Sequence, residues 1–313
     1  MTKGQFLFSI ILIASVTVYG QSIKIYTSDI DNFWVAYDSV KSTSDQAKQI
    51  RYIQQLYLDK ATDGLKDFII SRDHTAQRHL KNIIAYPKFW ASVRPLTLEI
   101  KQHTKEIEDL MIRFKELYPN FKQPNIYFTI GVLNSGGTTG ADEILIGSEI
   151  ACSNKTVDAS ELSNWLQGVF NDNKDVVYLV AHEVVHTQQK AEGKTLLSNC
   201  ITEGACDFIA ELLLQKPIVS PYMTYGKNNE KELWDAFQKE MNGEDIKNWL
   251  YNGSKALNGI ADLGYFMGYV ICKSYYDNSK NKKEALKEII ELSYDHESVL
   301  AFLKKSKYIG GKS

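Results

Sequence analysis

Between Asp29 and about Glu116 the apolar positions recur every three to four residues, the period of a helix that buries one face. In "SDIDNFWVAYDSV" the residues Phe33, Trp34, Tyr37 and Val40 share a side, and Asp29 or Asp31 is placed to cap the start. "QAKQIRYIQQLYLDKA" repeats the pattern through Ile50, Ile53, Leu56 and Tyr57. "TLEIKQHTKEIEDLMIRFKELYP" reads as one long amphipathic helix stopped by Pro119, with short loops at Gly64, Pro87 and Pro95 between these segments. After Pro124 the pattern changes. "NIYFTIGVL" and "EILIGSEIA" have strand composition, and "NSGGTTGAD" between them reads as a flexible loop. Two strands joined in that way predict a small antiparallel sheet. Helical spacing returns from about Asp175 to the C-terminus. The class is α+β, mostly α: a helical N-terminal part over residues 21–124 and a second part over 125–313, within one integrated domain.

The first twenty residues do not belong to that fold. Lys3 is followed by "FLFSIILIASVTV", an apolar run of signal-peptide length and too short for a membrane span, with Gly20 at a plausible cleavage site. A signal peptide over residues 1–20 implies export to the periplasm or the outside of the cell. No cysteine lies near the end of the run, so a lipid anchor is not indicated, and no later stretch is apolar enough to span a membrane. A formal net charge of −2 offers no basic excess for nucleic acid. Cys152, Cys200, Cys206 and Cys272 would sit in an oxidising compartment, where free thiols and a disulfide are both open readings; without a C-x-x-C pair they do not form a cysteine zinc ribbon.

The chemistry concentrates in "NDNKDVVYLVAHEVVHTQQKAEG", a largely apolar helix that Asn171, Asp172 or Asn173 could cap and Gly193 could end. Four residues carry a helix slightly past one turn, so His182 and His186 project from one face and can hold a single ion. Glu183 lies about 100° round the helix from His182, badly placed as a ligand but able to reach a water on the metal. Downstream, "SNCITEGACDFIAELL" reads as a second buried helix, begun by Ser198, Asn199 or Thr202, with Glu203 and Asp207 four apart. Packed antiparallel on the first helix it would aim Glu203 at the histidines. Asp207 could then accept the Nδ1–H of one imidazole, which fixes the ring and makes it a better donor. Gly204, lacking Cβ, permits close helix approach.

"HEVVH" followed after sixteen residues by "EGACD" resembles the gluzincin pattern of H-E-x-x-H and then E-x-x-x-D on the next helix. "HEVVHTQQ", "EGACDFIAEL" and "ADLGYFMGY" together resemble a family of bacterial predicted zinc-dependent proteases, a domain family of unknown function akin to gliding-motility lipoproteins, over most of the mature chain. The resemblance implies a zincin-like core with one zinc per chain, ligated by His182, His186 and Glu203. Glu183 would be the general base and Asp207 the carboxylate supporting a ligand histidine. It also implies a metallopeptidase acting on peptides or proteins, with Glu183 moving a proton from water to the leaving amine. Tyr265 and Tyr269, four apart in "ADLGYFMGYVICKSYY" behind a capping Asp262 and beside a smooth strip of Gly264 and Gly268, are candidate donors to the oxyanion; Tyr222 and Tyr225 come after them. His74, His79, His103 and His296 are expected outside the site. Cys200 or Cys206 in a fourth ligand position would instead close it. "DEILIGSEIACS" is the expected substrate-pairing edge and "NSGGTTGAD" a possible flap. Two other functions remain open: an envelope protein with a purely structural zinc, and an amidohydrolase acting on non-protein amides.

Overall fold

The computed structural model describes residues 23–140, 142–170, 175–190, 193–256 and 259–311. The expected signal peptide and its cleavage site lie outside these residues. A short strand β1 (Ile25–Tyr26) leads into six helices: α1 (Ser28–Lys41), α2 (Gln46–Leu56), α3 (Asp63–Arg72), α4 (Ala76–Ala85), α5 (Pro87–Glu99) and α6 (Thr104–Leu117). Asp45, Thr62 and Thr75 cap α2, α3 and α4 by accepting backbone N–H groups of the first turn. The predicted single helix across residues 97–118 is two helices. A 3₁₀ turn over Ile100–Gln102 separates α5 from α6, so the apolar face of each can turn separately toward the core. All three expected loop residues are helical: Gly64 lies in the first turn of α3, Pro87 opens α5, and Pro95 lies inside it.

Strands β2 (Asn125–Thr129), β3 (Gly137–Thr139) and β4 (Glu143–Gly147) complete a four-stranded sheet in the order β1-β2-β4-β3. The expected antiparallel pairing of the two apolar strands is not what forms. β2 and β4 pair in parallel, Asn125 with Glu143 through Thr129 with Gly147, and β3 pairs antiparallel with β4. The reason lies in the Gly-rich loop. It supplies a strand of its own, closed onto β4 by the Gly140 N–H to the Glu143 carbonyl (2.9 Å), so the chain reverses twice before β4. Both inner strands are buried on both faces. Phe68 of α3 covers Tyr127 and Leu145 on one face, and the main core covers the other.

The remaining helices are α7 (Ser148–Ala151), α8 (Asn164–Phe170), α9 (Val176–His186), α10 (Leu196–Leu214), α11 (Pro221–Asn228), α12 (Glu230–Glu240), α13 (Leu263–Asn278), α14 (Lys282–Ile290) and α15 (His296–Ser306). One continuous core joins residues from Ile30 to Tyr308, so the N-terminal helices and the later part share an interior. α9 is shorter than expected. Asp175 caps it through the Tyr178 N–H (2.7 Å), the expected caps Asn171, Asp172 and Asn173 lying outside the described residues, and it ends at His186, well before Gly193. α10 starts earlier than expected, capped by Thr195. Glu203 therefore sits in mid-helix, where burial rather than the helix dipole governs its charge. Gly204 does allow a close approach, but to α13: a Cβ there would lie 2.1 Å from the Tyr269 nitrogen, and one at Gly268 would lie 1.6 Å from the Cys200 carbonyl oxygen. The two helices touch backbone to backbone, which pins α10 at the depth where its carboxylates meet α9.

Candidate metal centre

α9 and α10 run antiparallel. Between His182 and Gln189 on the first chain segment, partners on α10 fall from Asp207 through Glu203 to Thr202. This brings three donor atoms to one point. His182 Nε2 lies 3.2 Å from His186 Nε2 and 3.2 Å from Glu203 Oε2, and His186 Nε2 lies 3.4 Å from the same carboxylate oxygen. Ligands about 2.0–2.2 Å from a tetrahedral zinc stand roughly 3.3 Å apart, so the triangle has the size a zinc ion needs. His182 and Glu203 are buried and His186 is half-buried, with the remaining side opening into a cleft.

The outer nitrogens are held as well. His182 Nδ1 lies 2.8 Å from Asp207 Oδ1, and the fully buried Asp207 also accepts from the hydroxyls of Tyr178 and Tyr222, the latter at 2.8 Å. A carboxylate only accepts, so these bonds place the proton on Nδ1 and leave Nε2 to face the triangle. His186 Nδ1 is similarly placed 2.8 Å from Gln189 Oε1. Burial works against a charge on His182, but the hydrogen bonds to Asp207 and Glu203 outweigh it and push its pKa up to about 10. Burial likewise works against the Glu203 carboxylate, yet its hydrogen bonds to the two histidines hold it well below the usual carboxylate range. Two acids and two imidazoles thus form a charged cluster whose protons an ion would displace. Cys206 offers a sulfur within 4.8 Å of donor atoms on both histidines. It lies against His186 Nδ1, at 3.4 Å, rather than against the Nε2 face shared with Glu203. Cys200 packs beside α13, and all four cysteines are free thiols.

Glu183 faces the cleft beneath β3. A Cβ on Gly137 would come 3.0 Å from its Oε1, so the strand passes close above the carboxylate and a side chain there would press on it. Desolvation raises the Glu183 pKa, while the two histidines pull it down. The expected edge assignment is reversed: β4 lies inside the sheet and β3 is its free margin beside α9, because the Gly-rich segment pairs instead of hanging loose.

Among the expected tyrosines, Tyr265 lines the cleft and stacks on the His182 ring, centroid to centroid 5.9 Å. Tyr269 does not. One turn further along α13 it donates to Glu211 Oε1 at 2.8 Å, away from the histidines, because the Gly204–Gly268 contact turns this part of α13 against α10. Tyr222 serves Asp207, and Tyr225 is absent from the cleft lining. His74 and His79 are buried against each other and the rings of Phe68, Phe33 and Tyr57, and burial lowers their pKa values to about 4 and about 3. Tyr251 is the residue that sequence reasoning missed. It is 63% exposed, has left-handed backbone (φ 53°), and donates from its hydroxyl to Glu203 Oε1 at 2.6 Å. Nothing in "NWLYNGS" announces that role, which arises from a contact 48 residues back along the chain.

Residues 15–310 match the model of a family described as gliding motility protein GldB. No curated protein and no solved structure matches the chain.

Proposed function

The chain belongs to the gliding motility protein GldB family, and from that premise and the cleft we propose that it is an exported, zinc-dependent hydrolase of the cell envelope that cleaves peptide bonds. The observation that carries the proposal is the triangle of His182 Nε2, His186 Nε2 and Glu203 Oε2, 3.2–3.4 Å on a side, with Glu183 beside it in an open cleft. These three residues would hold the ion, and a zinc bound there supplies a Lewis acid that acidifies water and takes up charge from a carbonyl oxygen. Glu183 accepts the proton from the attacking water and delivers it to the departing amine, a role helped by its raised pKa. Tyr265 and Tyr251 line the cleft beside Glu183, and their hydroxyls are the proposed donors to the oxygen on which charge develops. The free margin of β3 offers backbone N–H and C=O groups to an extended substrate, which gives affinity without demanding a particular sequence. The family's lipoprotein label and the apolar leader both fit export, to the periplasm or the cell exterior.

A structural zinc tying α9 to α10 would need neither an open side nor Glu183 beneath an edge strand. The deciding experiment is cleavage of a mixed peptide library by the chain from Gln21 onward, beside a Glu183→Gln variant of equal zinc content. Turnover in the first and loss in the second supports the proposal. Zinc binding with no cleavage of peptides or other amides in either would leave the structural reading in its place.

A further inference from the structure

The two histidines of the triangle are backed differently. Behind His182 stands the carboxylate of Asp207, and behind His186 stands the neutral amide of Gln189, just past the end of α9. An amide has an oxygen on one side and an NH₂ on the other, so the side that meets the ring decides where the ring keeps its proton. The neighbours of Gln189 fix that choice. Its side-chain nitrogen lies 3.0 Å from the Thr202 carbonyl of α10, and a carbonyl only accepts. The same nitrogen lies 2.9 Å from the Tyr294 hydroxyl, whose own proton goes to the Ile289 carbonyl at 3.2 Å, so the phenol oxygen accepts from the amide. Both amide hydrogens are thereby used, and Oε1 is left facing His186 Nδ1 at 2.8 Å. Nδ1 must then donate, and Nε2 is the nitrogen offered to the point shared with His182 and Glu203. The Cys206 thiol, 3.4 Å from Nδ1, is a weak competitor for that proton. Burial and the nearby carboxylates keep it neutral, and it lies 3.3 Å from the Thr202 carbonyl, to which it can donate.

Tyr294 reaches this point from far along the chain. It sits between α14 and α15, fully buried and in left-handed backbone (φ 59°), a conformation that a bulky residue keeps only where its surroundings hold it. The same turn meets the segment after α9 at two more places. Glu291 lies 3.9 Å from Lys190, and a Cβ on Gly193 would come 2.8 Å from the Tyr294 carbonyl oxygen.

We propose that Gln189 and Tyr294 are positioning residues of the metal centre: the Tyr294 hydroxyl and the Thr202 carbonyl orient the Gln189 amide, and the amide holds His186 in the tautomer and rotation that present Nε2 to the ion. The turn over residues 291–295 is thus part of the site although it supplies no ligand. The inference rests on the zinc ligands of the reading above, and its test separates the two. Zinc affinity is measured by chelator competition in the parent, Gln189→Met, Gln189→Glu and Tyr294→Phe, beside urea unfolding of the zinc-free proteins. Methionine fills similar space without the acceptor, and affinity is expected to fall about 10–100-fold. Glutamate keeps an oxygen toward Nδ1 and can take the Tyr294 proton in place of giving one, so it is expected to bind zinc nearly as the parent does. Tyr294→Phe leaves the amide one anchor and is expected to fall between the two. A methionine variant of parental affinity, or a glutamate variant that falls as far as methionine, overturns the proposal, since packing alone would then set the affinity. Parental affinity in Tyr294→Phe overturns the part given to Tyr294. Nitrogen-edited NMR of the zinc-loaded parent needs no variant: the His186 proton is expected on Nδ1, and a ring that binds the metal through Nδ1 overturns the assignment. If the parent takes up no zinc, the metal reading falls, and Gln189 is judged in the zinc-free chain. A His186 Nδ1 proton that exchanges slowly with water in the parent and rapidly in Gln189→Met sustains the hold on the ring; equal exchange overturns it.

Discussion

Asp207 is where stability and metal affinity separate most sharply. Its carboxylate is fully buried and takes hydrogen bonds from His182, Tyr178 and Tyr222. Asp207→Ala strips the acceptor from three buried donors. At about 1–3 kcal/mol for each, the loss is roughly 3–9 kcal/mol, of the order of a domain's whole stability, so this variant is expected to unfold or nearly so. Asp207→Asn behaves differently. With its carbonyl at the position of Oδ1 it still accepts from His182 and Tyr178, and its amide nitrogen meets the Tyr222 hydroxyl, which can accept in turn. Its cost in stability is about 1–2 kcal/mol, one neutral bond in place of a charged one. What it does remove is the negative charge behind the His182 ring, and with it the basicity of Nε2. Zinc affinity should fall about 10–100-fold, or about 1.4–2.7 kcal/mol. Competition against a chromophoric chelator measures the affinity, and urea unfolding of the zinc-free proteins measures the rest. An asparagine variant that binds zinc as tightly as the parent would refute the role given to Asp207, and an alanine variant as stable as the parent would refute the hydrogen-bond count.

Tyr265→Phe and Tyr251→Phe remove only a hydroxyl, and whichever tyrosine supports the oxyanion should lose about 10²–10³ in kcat with little change in KM. Parental rates in both would take tyrosine out of the chemistry. Glu149 is fully buried and accepts from the N–H groups of Gly131 and Leu133; burial pushes its pKa from 4.5 up to about 7 despite those bonds. The folded state therefore holds a proton that the unfolded chain has released between these values, so Glu149 makes stability decline as pH rises from about 4.5 to about 7. A Tm series across that window should be flatter in Glu149→Gln, and an identical slope would contradict the shift. Gly268→Ala places a methyl against the Cys200 carbonyl and should cost about 2 kcal/mol or more in urea unfolding, by forcing α13 off α10.

The apolar period made the helices legible: α1, α2 and α10 follow stripes such as Phe33–Trp34–Tyr37–Val40 that any helix would bury, whereas the expected caps failed, α1 starting after Thr27 with Asp29 turned to Thr62, and α10 after Thr195. That His182, His186 and Glu203 converge was legible for the same reason, because i, i+4 spacing on two helices is local. What escaped is what long-range pairing decides. β3 is Gly-Thr-Thr, without alternation or apolar bulk, and becomes a strand only because β4 lies beside it. The direction of β2 against β4 depends on that pairing. Tyr269 and Tyr265 look equivalent on a helical wheel, and only the Gly204–Gly268 contact turns one to Glu211 and leaves the other over His182. Tyr251 reaches Glu203 from a loop held in a left-handed conformation, which no periodicity encodes.

The most direct test of the central claim is zinc content by elemental analysis of the chain purified without chelators, beside His182→Ala and Glu203→Gln. The account predicts about one zinc per chain in the parent and next to none in the two variants, which must first be shown to be folded. A folded variant that keeps its full zinc, or a parent that takes up none when zinc is supplied, would contradict it.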